Sequence, residues 1–168
     1  MKIGILGGSF NPAHKGHLAI SKEAKKRFKL EKIIWAVTKK NPLKAESKTP
    51  ISKKIKDCKK IIGMNSFIKV KFYENIIKSN KTIDLINYIK KNKNIEIFFL
   101  MGADSLILFH KWYKWQKISS KCHILVFDRT NYKSKSLKSV AFKKLSKKRL
   151  EFIKFKKVNI SSSKLRKI

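Results

Sequence analysis

Short apolar segments alternate with segments of helical periodicity along most of this chain. Each apolar segment has the length of a buried strand, and apolar residues recur every three or four positions in the segments between them. This pattern predicts strands at 2–6, 33–37, 68–72, 95–101, 123–127 and 152–155, helices at 17–28, 51–62, 82–89 and 105–120, and loop with poor helix at 131–148. Because such alternation builds βαβ units, it predicts a parallel sheet with helices on both faces.

The length of 168 residues suits one domain, which we place at 1–168 with a doubly wound, Rossmann-like α/β fold. Two cysteines, Cys58 and Cys122, are too few for a disulfide framework and favour a reducing compartment. The longest apolar run, 95–103, has about half the length that a membrane-spanning helix needs. The chain opens on a strand rather than on the charged and then apolar pattern of a signal peptide. We therefore expect a cytoplasmic protein without a membrane partner.

The charge of the chain is extreme, with 43 Lys or Arg against 10 Asp or Glu and a formal net charge of +33. Dense positive charge suits nucleic acids, because it releases counterions from a phosphate backbone. However, 39 of these 43 residues are Lys, and they are spread along the whole chain rather than gathered in one patch. We therefore favour compositional drift over a specific nucleic-acid partner, although the field still attracts anions such as ATP.

The first candidate site is a glycine-rich turn, residues 7–17, which directly follows the first predicted strand. Glycines let a backbone approach a phosphate closely, and the following helix presents free N–H groups and a positive dipole end. His14 and His17 are three residues apart at the helix start, so both imidazoles can face one anion. A metal site is less favoured, because the sequence offers no third ligand at a useful spacing. The pattern favours phosphate binding over an ordinary turn.

A second candidate phosphate site is the segment Ile160–Arg166, which combines three serines with a guanidinium. Hydroxyl groups cap helices well, so an ordinary cap on a terminal helix is an open alternative for this segment. A guanidinium can take two phosphate oxygens at once, which suits a triphosphate.

Two further segments carry residues suited to a nucleotide. Gly102 and Asp104 follow the most apolar strand, where Asp104 can accept from a ribose hydroxyl or cap a helix. Trp112 lies in an aromatic and basic stretch that suits stacking on a flat ring, or it packs in the core. Thr82 opens another predicted helix, where capping is the alternative.

Together these motifs resemble the bacterial nicotinate-nucleotide adenylyltransferases of the HxGH nucleotidyltransferase superfamily. Residues 7–18 resemble the family pattern Gly-Gly-Thr/Ser-Phe-Asp/Asn-Pro-x-His-x-Gly-His-Leu, and residues 160–166 resemble Ile-Ser-Ser-Thr-x-Ile-Arg. Residues 41–44 are similar to a basic loop after the second strand, and residues 81–84 are similar to Tyr-Thr-x-Asp. Residues 102–115 resemble Gly-Ala-Asp-x-Leu…Trp-x-x-Trp, and this run is what favours the nicotinate-nucleotide family over others of the superfamily.

The resemblance implies a nucleotidyltransferase-type fold and transfer of AMP from ATP to nicotinate mononucleotide in NAD biosynthesis. The products would be deamido-NAD and pyrophosphate, without a covalent enzyme intermediate, and Mg²⁺ would be carried by the triphosphate. The implied catalytic residues are His14, His17 and Arg166. The implied ATP contacts are Gly7, Gly8, Ser9, Phe10, His14, His17, Gly102, Asp104, Ile160, Ser161, Ser162 and Arg166. The implied contacts to the acceptor are Lys44, Thr82, Trp112 and Tyr113, with Trp112 stacking on the nicotinate ring.

Three alternatives are open. Pantetheine-phosphate adenylyltransferases share the Gly-Gly-Ser-Phe start and the Ile-Ser-Ser end, but usually have Thr at the position of His14 and lack the Gly-Ala-Asp…Trp run. A cytidylyltransferase acting on a phosphorylated alcohol is disfavoured on the same ground. A basic nucleic-acid-binding protein on an inactive scaffold is disfavoured because His14, His17 and Arg166 are all present. The sequence assigns no role to Arg129, and it leaves a monomer and a homodimer open.

Overall fold

One six-stranded sheet runs through the computed structural model, in the strand order β3-β2-β1-β4-β5-β6 with every adjacent pair parallel. The structure describes residues 1–39, 48–92, 94–129, 131–145 and 147–155. Its strands are β1 Lys2–Gly8, β2 Lys32–Val37, β3 Ile68–Lys71, β4 Glu96–Gly102, β5 His123–Phe127 and β6 Leu150–Ile153. Its α-helices are α1 Lys15–Phe28, α2 Ile51–Ile62, α3 Glu74–Ile77, α4 Thr82–Ile89, α5 Ala103–Leu108, α6 Trp115–Lys121, α7 Lys133–Leu137 and α8 Val140–Lys144.

Side chains alternate across the sheet, so each strand contributes to two separate cores. On one face, Ile3 and Ile5 of β1 pack with Ile83 and Ile86 of α4. On the other face, a second cluster joins Leu6 of β1 to helices α1 and α2. Because both faces are covered by helices, the predicted doubly wound α/β fold is confirmed.

The structure differs from the sequence prediction in several elements. It adds α3, divides 105–120 at a 3₁₀ turn over Phe109–Lys111, and forms α7 and α8 within 131–148. The last strand, predicted at 152–155, lies at Leu150–Ile153. Leu150 and Ile153 are both buried, and Leu150 pairs in register with Ile124 of β5. Pairing with β5 therefore sets the position of this strand, which its own apolar pattern placed two residues too late.

Candidate active site

A crevice is expected where β1 and β4 lie side by side at the centre of the sheet. The connections after these strands leave toward opposite faces, because α1 packs in one core cluster and α5 in the other. Such a divergence is the switch point at which parallel α/β sheets bind ligands. Although β1 is a central strand, Gly7 at its carboxyl end is exposed, and Gly8 and Ser9 are half-buried. The end of β1 is therefore open to a ligand.

His14 and His17 cap the start of α1 by hydrogen bonds between their rings and the backbone. His14 Nδ1 accepts the N–H of Gly16 at 3.0 Å, and His17 Nδ1 accepts the N–H of His14 at 3.1 Å. The ring centroids are 3.9 Å apart. This pair of bonds is a capping box built from two imidazoles, and it explains why α1 begins at Lys15, two residues before the predicted start.

These hydrogen bonds fix which nitrogen of each ring carries the proton. A backbone N–H can only donate, so each Nδ1 is an acceptor and each neutral ring holds its proton on Nε2. Burial, with the nearby Arg129 charge, lowers the pKa of His14 from 6.5 to about 4. Burial first, then the charges of His14 and Arg129, lower the pKa of His17 well below 6.5. At neutral pH the site therefore offers two uncharged Nε2–H donors.

An aromatic support lies beneath the histidine pair. The Phe10 ring is 4.7 Å from the His17 ring and stacks on Trp35 at 5.1 Å. Phe10 has a left-handed backbone with φ of 46°, a conformation that costs a non-glycine residue about 1 kcal/mol or more. Trp35 Nε1 donates to Ser21 Oγ at 2.9 Å, and Ser21 Oγ donates to the carbonyl of His17 at 2.8 Å. The first turn of α1 is thus held on both sides by buried contacts.

The low pKa of His14 predicts that acid destabilises the protein. Below pH 6.5 the unfolded chain takes up a proton at His14, whereas the folded chain does so only near pH 4. The free energy of unfolding therefore decreases as the pH is lowered from 6.5 toward 4. His14→Asn keeps an N-cap acceptor but removes the titration. Between pH 7.5 and pH 4.5, urea unfolding should show a loss of stability about 2 kcal/mol larger for the wild type than for this variant. Equal losses of stability in the wild type and in His14→Asn would contradict the low pKa assigned to His14.

A charged pair lies just beyond the neighbouring ends of β4 and β5. Arg129 Nη1 donates to Asp104 Oδ2 at 2.7 Å. The other oxygen, Asp104 Oδ1, is buried and has no hydrogen-bond partner in the described part of the chain. A Cβ on Gly102 would lie 2.6 Å from that Oδ1 and 3.0 Å from Arg129 Cδ, so a larger residue there would displace the side chains of the pair. Arg129 is a candidate site residue that the sequence analysis missed.

Trp112 and helix α4, which begins at Thr82, belong to the core on the opposite face of the sheet from helix α1, which carries His17. Trp112 makes edge-to-face contacts with Phe99 at 5.9 Å and Phe109 at 5.1 Å, and it is half-buried. Thr82 is the first residue of α4, which packs on α6 in the same core. Tyr113 is 53% exposed. The structure therefore gives Trp112 a fixed ring and leaves Tyr113 in solvent.

Several predicted site residues lie outside the described residues. They are Lys44 in the loop after β2, and Ile160, Ser161, Ser162 and Arg166 in the last motif. Within the described ranges, His, Cys, Asp and Glu side chains form no group of three or more that could hold a metal ion. In the same ranges, no helix has the length and apolar character needed to cross a membrane.

The fold and the paired histidines define a class of nucleotidyltransferases, and comparison with known proteins agrees. The sequence pattern of the Cytidylyltransferase-like family matches residues 5–168, so the chain belongs to that family. A probable nicotinate-nucleotide adenylyltransferase of Pelagibacter ubique (strain HTCC1062) is 67% identical over 167 residues, which cover 99% of this chain and 93% of the relative. A protein of the same name from Bradyrhizobium sp. (strain ORS 278) is 35% identical over 151 residues, 89% of this chain and 79% of that one.

Within that class, the chain belongs to the nicotinate-nucleotide adenylyltransferases, and the resemblance drawn from its motifs is confirmed. A solved structure of the Plasmodium falciparum nicotinic acid mononucleotide adenylyltransferase, complexed with NaAD, superposes with a TM-score of 0.77. It is 22% identical in sequence, and the match covers 99% of this chain and 82% of that one. This likeness confirms the nucleotidyltransferase-type fold.

Proposed function

We propose that the crevice joins ATP and nicotinate mononucleotide to form deamido-NAD and pyrophosphate, a step of NAD biosynthesis. A phosphate oxygen of the mononucleotide attacks the α-phosphorus of ATP, and the bond from that phosphorus to the bridging oxygen of the β-phosphate breaks. The electron pair of that bond leaves with pyrophosphate. The reaction requires no nucleophilic side chain, so the protein contributes positioning and charge stabilisation.

The capping box of His14 and His17 is the observation that carries this proposal. A triphosphate at the start of α1 would meet two neutral Nε2–H donors, the free N–H groups of the first turn and the positive end of the helix dipole. Donors that are already oriented by the backbone need no reorganisation as negative charge builds on the α-phosphate. We assign the α-phosphate to His17 and the neighbouring phosphates to His14.

The backbone at the end of β1 completes the phosphate contacts in this proposal. The nearest atoms that a Cβ on Gly8 would meet are two of the Phe10 ring, at 3.6 Å and 3.8 Å, and the Phe10 backbone nitrogen at 3.9 Å; these are ordinary van der Waals contacts, so internal packing does not require glycine there. A ligand that approaches the backbone of Gly7, Gly8, Ser9 and Phe10 does account for it. We assign further phosphate contacts to Arg166, Ser161, Ser162 and the backbone of Ile160.

The pair of Asp104 and Arg129 is assigned to the ATP side of the site. Arg129 places a positive charge close enough to lower the pKa of His14, so the same charge can act on the phosphates that His14 binds. Asp104 Oδ1 is assigned to a ribose hydroxyl, and the Gly102 backbone to the adenosine. Mg²⁺ enters as the counter-ion of ATP.

The acceptor is assigned to the other face of the sheet, where Trp112 stacks on the nicotinate ring. Phe99 and Phe109 hold the Trp112 ring by its edges, which fixes the plane on which a flat aromatic acid can lie. Thr82 supplies a hydroxyl to the acceptor, and Tyr113 and Lys44 line its entrance. We propose ATP and nicotinate mononucleotide as the partners of a cytoplasmic monomer or homodimer, with no specific nucleic acid.

Trp112→Ala should raise the KM for nicotinate mononucleotide by about tenfold or more while leaving the KM for ATP within about twofold, because a stacking surface is lost on the acceptor side alone. Trp115→Ala is the matched control. Trp115 is also half-buried and also contacts Phe109, at 5.9 Å, so both variants lose packing. Steady-state kinetics with each substrate varied in turn gives both constants. A rise in the KM for ATP alone would contradict the stacking assignment.

The chemistry of the proposal can be tested with ATP labelled at either its α- or its γ-phosphate, together with Mg²⁺ and nicotinate mononucleotide. The α-label should appear in deamido-NAD and the γ-label in pyrophosphate. Appearance of the γ-label in inorganic phosphate, or of the α-label in AMP alone, would contradict adenylyl transfer.

A further inference from the structure

The only lysine buried without exposed surface in the described part of the chain is Lys54, on the inner face of α2. It occupies the apolar stripe of this helix, one turn before Cys58 and two turns before Ile62, which are both buried. A buried ammonium is costly unless it is hydrogen-bonded and balanced by charge, so its presence in a core stripe requires an explanation.

Lys54 binds the backbone where β2 ends. Its Nζ donates to the carbonyl of Thr38 at 3.0 Å and to the carbonyl of Lys39 at 3.2 Å. The N–H of Thr38 in turn donates to the carbonyl of Gly8 at 3.0 Å. Two hydrogen bonds of Thr38, one at its carbonyl and one at its N–H, therefore link the Lys54 ammonium to the glycine turn at the end of β1.

The positive charge of Lys54 is partly offset by a carboxylate on one neighbouring element, helix α3. Burial lowers the pKa of Lys54, and the charge of Glu74, the first residue of α3, acts in the opposite direction. Glu74 is itself half-buried, and its Oε1 has no hydrogen-bond partner in the described residues. Glu74 thus acts on Lys54 through its charge, without a direct hydrogen bond between the two side chains in the described contacts.

We propose that Lys54 is a positioning residue for ATP, which acts through Thr38 on Gly8. Parallel strands end with carbonyl groups whose negative ends face the same edge as the ligand. The ammonium offsets two of these carbonyls beside the anion site and holds β2 in register with the turn of β1. The ATP assignment rests on the proposed function, whereas the effect on the turn does not.

Lys54→Met is the main test, because methionine has a similar length without charge or donors. It should raise the Kd of ATP, measured by isothermal titration without acceptor, by about tenfold, and lower kcat by a similar factor, since small displacements at reacting centres are costly. Lys54→Arg should restore both to within about threefold of the wild type. The KM for nicotinate mononucleotide should change by less than about twofold.

Two control variants on α2 separate this role from stability and from overall charge. Cys58→Ala removes a buried side chain from the same stripe, and Lys53→Met removes one exposed charge that pairs only with Asp57 in the described contacts. Both should bind ATP like the wild type. If Lys54→Met binds ATP as tightly as Cys58→Ala does, the positioning role is wrong.

A further variant keeps the test decisive where Lys54→Met does not fold. Lys54→Gln retains a neutral donor. Wild-type ATP affinity in that variant would overturn the role of the buried charge. Weaker ATP binding in Lys54→Gln, with the affinity restored in Lys54→Arg, supports it. The wild-type protein could bind ATP yet form no deamido-NAD. If Lys54→Gln still binds ATP more weakly than that wild type, Lys54 remains a positioning residue and only the proposed acceptor is rejected.

Discussion

His17→Ala should lower kcat by a factor on the order of 10² or more, with a smaller effect on the KM for ATP, because a preorganised donor to the developing charge is lost. The same substitution removes the acceptor for the His14 N–H, which is 3.1 Å from His17 Nδ1 in the wild type. Part of the loss could therefore come from a frayed helix start rather than from the missing donor. Pre-steady-state quench measurements would place the loss in the chemical step.

His17→Gln separates these two causes. Glutamine at the third helical position commonly reaches back to the N-cap backbone, so this variant keeps the capping box but not the imidazole Nε2–H. It should retain the thermal stability of the wild type and still lose about 10² in kcat. Turnover near the wild-type value in His17→Ala would reject the role assigned to His17.

Arg129→Met should lower kcat/KM for ATP by a factor on the order of 10² or more, because a cation next to the phosphates is lost and the Asp104 carboxylate is left without its partner. The pKa of His14 should rise from about 4, since the Arg129 charge contributes to its depression. NMR titration of the His14 ring measures that rise directly. An unchanged pKa would show that Arg129 does not act on the histidine pair.

Two further variants distinguish charge from geometry at this pair. Arg129→Lys keeps the positive charge but loses the planar fork that binds Asp104, so it should lie between the wild type and Arg129→Met. Asp104→Asn keeps the shape of the side chain and removes its charge. If Arg129→Met and the wild type have equal kcat/KM for ATP, the pair has only a structural role.

The sequence predicted the sheet and the main helices because their apolar periodicity is strong and local. It did not predict that His14 caps α1, since imidazoles are uncommon caps and the prediction relied on hydrophobic spacing. It also missed Arg129, because the ion pair with Asp104 joins residues that are 25 positions apart. A signal was nonetheless present, because Asp104 and Arg129 closely follow the predicted strands 95–101 and 123–127, which the structure pairs side by side.

Lys54 shows a similar limit. One lysine among 39 carries no information by its type, and only its place in a buried stripe distinguishes it. The spacing of Lys54, Cys58 and Ile62 at every fourth residue was visible in the sequence. What the sequence did not contain was the position of the Thr38 and Lys39 carbonyls, which depends on how α2 packs against β2.

The central claim is that the histidine pair binds the phosphates of ATP while Trp112 and Thr82 hold nicotinate mononucleotide as the acceptor of AMP. We would measure pyrophosphate release from ATP and Mg²⁺ with nicotinate mononucleotide, nicotinamide mononucleotide and phosphopantetheine in parallel. The account predicts that kcat/KM is highest with nicotinate mononucleotide, by about tenfold or more over each competitor, as loss of a matched polar contact requires. Faster release with phosphopantetheine would retain the phosphate site but contradict the Trp112 pocket, and no release with any acceptor would contradict the proposed reaction.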